Sequence, residues 1–179
     1  LAAHNGIQSC VGKDFLQGVW RMAFEALGAE EDLLLLMAVG PQNDALDVLP
    51  DPPSNVIIRQ TVPQLEVLKR CRAFVTHGGN NSIHESLAFA VPMVVIPMFG
   101  DQPYNADAIG SLGCGVSFRY PMQTLTAPRL RKAVRTLVDE PSYHCAAMEM
   151  SQKLRCASGA LGALEAILRT TSRCHLAAA

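Results

Sequence analysis

Residues 74–87 read FVTHGGNNSIHESL, and the fold turns on how this stretch is divided. Phe74, Val75 and Thr76 end an apolar run of strand character, and His77 stops it. Gly78 and Gly79 follow, and Asn80, Asn81 and Ser82 open a segment whose apolar residues, Ile83, Leu87 and Ala88, recur at helical spacing. A buried strand that turns into a helix within a few residues is the unit from which parallel sheets are built. Two readings of the junction are open. Ser82 and Glu85 have the spacing of a capping box, in which the hydroxyl caps the helix and the carboxylate reaches back. Alternatively, the glycines let backbone approach an anion, the helix start offers free N–H groups, and His77, Asn81 and Ser82 add side-chain donors.

The flanking sequence repeats this unit. Leu33 to Val39 is a continuous apolar run closed by Gly40-Pro41, as expected of a strand buried on both faces. Asn55 to Arg59, Ala73 to Thr76, Met93 to Ile96 and Gly115 to Phe118 read as further strands. Helices are predicted over Phe15–Leu27, Pro63–Lys69, Ser82–Ala90, Gln102–Leu112, Ala127–Val138, Ser142–Cys156 and Leu161–Leu168. Asp44 to Ser54, crowded with Pro and Asp, reads as loop, and Ala177–Ala179 as a frayed end. Strands alternating with helices imply an α/β fold with a Rossmann-like parallel sheet and helices on both faces. The whole chain, 1–179, is expected to be one domain.

Composition narrows the function. With 49% hydrophobic and 17% charged residues the chain is of the globular rather than the disordered type. A formal net charge of −1 gives no electrostatic reason to expect nucleic acid or an anionic membrane as partner. No apolar run is long enough to span a bilayer, and no signal peptide is visible, so a cytoplasmic location is expected. The chain begins with Leu1 rather than Met, which suggests a start partway through a longer protein. Six scattered cysteines without a C-x-x-C pair are expected to be reduced and mostly buried. No metal site is expected, and Asn80-Asn81-Ser82 matches the N-glycosylation pattern by chance.

Ligands of open parallel sheets bind beyond the carboxyl ends of the strands. His77 stands at such an end. Gly100-Asp101-Gln102 follows the next strand and should reach the same rim, where Asp accepts and Gln both donates and accepts hydrogen bonds from sugar hydroxyls. Asp101 also suits a simple helix cap. Pro63-Gln64, after an earlier strand, is a third element on that rim.

Taken together, "NVIIRQTVPQLEVL", "FVTHGGNNSIHESLAFAVPMVVIPMFGDQPYNADAI" and "GCGV", from Asn55 to about Phe118, resemble the donor-binding half of family 1 glycosyltransferases of the GT-B fold. The macrolide and UDP-glycosyltransferase branch is the most similar. The resemblance implies that His77, Gly79, Asn81 and Ser82 bind a diphosphate, and that Glu85 accepts from the ribose. Gln64 and the backbone near Val62 would line the base pocket, and Asp101 and Gln102 would hold the transferred sugar. It further implies an inverting transfer from a UDP- or dTDP-sugar to an acceptor hydroxyl, with no cofactor beyond the donor itself. The catalytic base would belong to an N-terminal acceptor domain absent from this chain, so none is assigned here, and the isolated chain is expected to be inactive. A donor-binding subunit of a split enzyme and a nucleotide-sugar epimerase of similar fold are the alternatives. Three positions depart from the family pattern. Thr61 stands where a tryptophan is usual, Ala90 replaces a usual glycine, and "IQSCVGKDF" only loosely matches the early strand-to-loop S-x-G-[ST] segment.

Overall fold

A computed structural model describes residues 6–41 and 49–176, with side chains described for 14–41 and 49–170. The elements run α1 (Gly6–Leu27), β1 (Leu35–Ala38), β2 (Val56–Arg59), α2 (Gln64–Leu68), β3 (Phe74–Thr76), α3 (Asn80–Ala88), β4 (Met93–Val95), α4 (Gln102–Ser111), β5 (Gly115–Ser117), α5 (Pro121–Thr124), α6 (Ala127–Asp139), α7 (Pro141–Cys156) and α8 (Gly159–Leu176). Each strand predicted from the sequence is present, and so is each helix. The expected loop at 44–54 lies partly, and the expected fray at 177–179 wholly, outside the described residues.

All pairings are parallel, but they form two ladders. β1 pairs with β2, and β3, β4 and β5 form a second ladder in that order, with β4 in the middle. Among the described residues no ladder joins β1 to β3. Packing joins the two instead: Leu33 before and Leu35 in β1, and Val94 in and Ile96 after β4, belong to one apolar cluster with residues of α1 and α6.

β4 shows why this is a layered α/β arrangement. Met93, Val94 and Val95 have no solvent exposure, as a continuous apolar run in a two-sided sheet should. Successive side chains leave opposite faces of a strand. Val94 accordingly joins Ala26, Leu27, Leu130, Ala133 and Val134 on the α1/α6 side. Met93 and Val95 join Ile83, Leu87, Ala106 and Ile109 on the α3/α4 side, with Met150 and Leu154 of α7 packed behind. The end of α1 is tied down by Asn55, whose Nδ2 lies 2.8, 3.0 and 3.1 Å from the carbonyls of Leu27, Glu30 and Leu33.

Four details differ from the sequence reading. α1 begins at Gly6, so the segment read as loop-like at 7–15 is helical; Ile7, Cys10, Val11 and Phe15 continue the helical period backward. α5 is a single turn that starts at Pro121 and has too few residues to show a period. α8 extends to Leu176, well past Leu168. The cysteines are not mostly buried: of the four described, Cys114 is buried and Cys71 half-buried, while Cys145 and Cys156 are exposed, and all four are free thiols.

The C-terminus of α3 carries an unusual cap. Val91 N–H donates to Ser86 O at 2.9 Å and Ala90 N–H to Leu87 O at 3.0 Å, the paired bonds of a Schellman motif. Ala90 occupies the left-handed position at φ 57°, which glycine normally fills. Ser86, fully buried, adds a bond from its hydroxyl to Val91 O at 2.8 Å. This turn feeds the chain straight into β4.

Candidate functional site

The β3–α3 junction is built so that its backbone donors stay open. The helix starts at Asn80, two residues before the sequence reading, with Gly79 as its extended N-cap (φ −66°, ψ 147°) and no side-chain cap. The first bond back to the cap runs from Ile83 N–H to Gly79 O at 3.1 Å. The amides of Asn80, Asn81 and Ser82 therefore precede the helical ladder, where the macrodipole leaves about half a positive charge. The capping box does not form. Ser82 lies inside the first turn, and Glu85 turns sideways: its Oε2 accepts from Gln64 Nε2 at 2.6 Å.

Two glycines shape the approach. Gly78 adopts φ 83°, and a Cβ there would stand 2.5 Å from Val95 Cγ1. At Gly79 a Cβ would stand 2.6 Å from His77 Nε2, so the imidazole folds over a position that only glycine leaves clear. His77 is half-buried, and burial holds its pKa below the ordinary histidine value, while the Asp101 carboxylate pulls it upward. A cleft of about 460 Å³ opens over this junction, lined by His77, Gly79, Asn80, Asn81 and Ser82.

The next βα unit reaches the same place. Asn105 Nδ2 lies 2.9 Å from Gly78 O, 3.0 Å from Asn80 Oδ1 and 3.1 Å from Asp101 Oδ2, which sets the α4 start against the α3 start. A Cβ at Gly78 would also lie 3.7 Å from Gln102 O. Asp101 stands at the N-cap of α4 but makes no side-chain cap bond to the helix backbone; its carboxylate accepts from Asn105 instead. Gln102 behaves differently from its expected display toward a ligand. Its side chain is buried at 4% exposure, and Oε1 accepts from Met98 N–H at 2.7 Å and Phe99 N–H at 3.2 Å. It fixes the Met98–Asp101 loop from below, and sequence alone does not distinguish that from an outward amide. Gln64 opens α2 and meets Glu85 through the bond above, and Val62 is half-buried just before it. The structure thus gathers His77, Gly79, Asn81, Ser82 and Asp101 around the junction, joins Gln64 to Glu85, and turns Gln102 inward. Asn105 belongs to the D-Q-x-x-N-A run within the stretch that carries the family resemblance, but the sequence gives it no role of its own; its place four residues after Asp101 is the available signal.

A second cleft, of about 410 Å³, lies between α1 and α6 and is lined by Glu25, Ala26, Ala127, Pro128, Arg131, Lys132 and Arg135. Its basic look is misleading for anion binding. Arg131 and Arg135 both pair with the buried Glu30, and Arg135 also with Asp32.

The family profile described as UDP-glucoronosyl and UDP-glucosyl transferase matches residues 48–155, more than half of the chain. This chain belongs to that family. Among curated relatives, the uncharacterized UDP-glucosyltransferase YojK of Bacillus subtilis is 41% identical over 125 residues, covering 70% of this chain and 30% of YojK. The mouse UDP-glucuronosyltransferase 2A2 is 41% identical over 101 residues, covering 55% of this chain and 19% of the mouse protein. Among solved structures, the glycotransferase of kitacinnamycin superposes with a TM-score of 0.76 at 36% identity, covering 85% of this chain and 38% of that one. The glycosyltransferase VinC, solved in complex with dTDP, gives 0.73 at 25% identity, covering 85% and 37%. The chain therefore spans between about a fifth and two fifths of the length of these proteins. Its fold is a Rossmann-like half of the GT-B class. No described helix is long and apolar enough to cross a membrane.

Proposed function

We propose that the chain is the nucleotide-sugar-binding half of a glycosyltransferase, which holds a UDP- or dTDP-sugar for inverting transfer to an acceptor hydroxyl. One observation carries this reading: the uncapped α3 start, with His77 folded over Gly79 and Asp101 tied beside it through Asn105. That geometry suits a diphosphate carrying a hydroxyl-rich group. The amides of Asn80–Ser82 meet phosphate oxygens along the helix axis, and Asn81 and Ser82 add side-chain donors. His77 donates to a phosphate oxygen from the side. The Glu85 carboxylate, held by Gln64, accepts from the ribose, and the base lies toward Val62 and Gln64. Asp101 accepts from the sugar hydroxyls, while Gln102 supports that loop from within.

In transfer, negative charge grows on the departing diphosphate, and this half stabilises it electrostatically. The acceptor hydroxyl is deprotonated by a base from an acceptor-binding domain, joined in cis or supplied by a separate chain. Relatives of about three times this length are consistent with such a further domain. Calorimetric titration with UDP, dTDP and GDP tests the reading. Binding of UDP or dTDP with no sugar transfer by the isolated chain is expected. Indifference to all three nucleotides, with far-UV circular dichroism showing a folded α/β protein, refutes it.

A further inference from the structure

The side chain of Asn105 joins two loops: it reaches the Gly78 carbonyl, 27 residues before it in sequence, and the Asp101 carboxylate, four residues before it. A helix-surface asparagine bonding to the preceding turn would explain its contact with Asp101 Oδ2, four residues back. It would not explain the Gly78 carbonyl at 2.9 Å or Asn80 Oδ1 at 3.0 Å. The amide nitrogen carries two protons and faces three acceptors, so one proton is shared and each contact limits the others. Moving either loop leaves an acceptor unmet.

We propose that Asn105 is a positioning residue for donor binding: by holding the Gly78 carbonyl and the Asp101 carboxylate on one amide, it sets the diphosphate donors in register with the sugar-facing acid. The inference rests on the donor-site reading given above. The peptide between Gly78 and Gly79 is planar and trans, so its C=O and N–H point in opposite directions. Fixing the Gly78 oxygen on Asn105 turns the Gly79 N–H away from Asn105. Gly79 lines the His77 cleft, which makes that N–H one more phosphate donor beside the amides of α3. A peptide flanked by two glycines is weakly held by local sterics, because neither residue carries a Cβ that restricts its rotation. Asn105 selects one orientation of it. The same amide keeps the Asp101 carboxylate at the junction rather than extended into solvent.

The experiment compares wild type with Asn105→Leu, which keeps the branched shape but has no donor, and with Asn105→Ala. Affinities for uridine, UDP and UDP-glucose are measured on the full 179-residue chain. UDP and UDP-glucose are expected to weaken about tenfold or more in both variants, with uridine changed less than twofold. An unchanged ratio of UDP to uridine affinity overturns the role of Asn105 and leaves the donor site standing. So does equal loss of all three ligands, the response to general damage. Failure of wild type to bind UDP at all overturns the donor-site reading and this inference with it. A measurement on the unmodified chain needs no variant to fold. The Asn105 side-chain amide protons should shift on addition of UDP and of UDP-glucose, and resonances indifferent to both overturn the proposal.

Discussion

His77→Ala should separate the phosphates from the nucleoside. A hydrogen bond to a charged group contributes about 1.5–3 kcal/mol, so losing one donor to the diphosphate weakens binding by roughly 10- to 150-fold. Uridine, which has no phosphate, should lose less than twofold. The pH profile supplies a second mark. Burial keeps the His77 pKa below its ordinary value, so the imidazole of the free protein is mostly neutral at pH 7.5. A neighbouring diphosphate favours the protonated ring and raises that pKa in the complex. Affinity should therefore be greatest below the free-protein pKa and fall as pH rises through the higher pKa of the complex. UDP-glucose is the ligand of choice, because the terminal phosphate of UDP has its own titration near pH 6, as phosphate monoesters do (about 6). Isothermal calorimetry from pH 5.5 to 8 on wild type and variant gives both readouts. Equal losses for uridine and UDP-glucose, or a pH slope that survives in His77→Ala, would refute a phosphate-binding role and leave His77 as a packing residue over Gly79.

Other substitutions test neighbouring claims. Ala90→Gly relieves a left-handed alanine that costs about 1–2 kcal/mol, offset partly by the greater chain entropy of glycine, for a net gain of about 0.5–1 kcal/mol. An unchanged or lower urea midpoint would mean that the Ser86 and Val91 bonds already absorb the strain. Glu85→Ala should cost roughly tenfold in UDP affinity and little for the 2′,3′-dideoxy analogue; equal affinity of variant and wild type for UDP removes Glu85 from the ribose. Arg135→Ala leaves buried Glu30 with Arg131 alone and should clearly lower the urea midpoint. Arg131→Ala, at an exposed side chain, should cost about 1 kcal/mol or less. Urea denaturation showing the reverse order contradicts this assignment.

The run Met93–Ile96, bounded by proline, was legible as a strand and is buried on both faces; Leu33–Val39 was legible as a strand too, but β1 buries one face only, with Leu34, Leu36 and Ala38 exposed. Gly113, left-handed at φ 67°, marks the end of α4, and helix α6 was legible from its period. The break between β1 and β3 was not, since pairing across a sheet leaves no local signature. The start of α3 was misplaced because Ser82 looks like a cap, whereas the actual cap, Gly79, is recognised by its extended backbone rather than by a side chain. Gln102 shows the limit for the site. An amide after a strand end can face a ligand or brace its own loop, and the choice depends on where the Met98 and Phe99 N–H groups point. Asn105 has no role legible in the sequence for the same reason: two of its three acceptors come from the preceding βα unit.

A nucleoside diphosphate should touch the chain at the α3 start, and amide-resolved NMR titration with UDP reads this directly. The largest shifts are expected at Gly79, Asn80, Asn81 and Ser82, with a smaller response at Asp101 and none at the α1/α6 cleft around Arg131 and Lys132. Shifts concentrated at α6, with the α3 start silent, would contradict it.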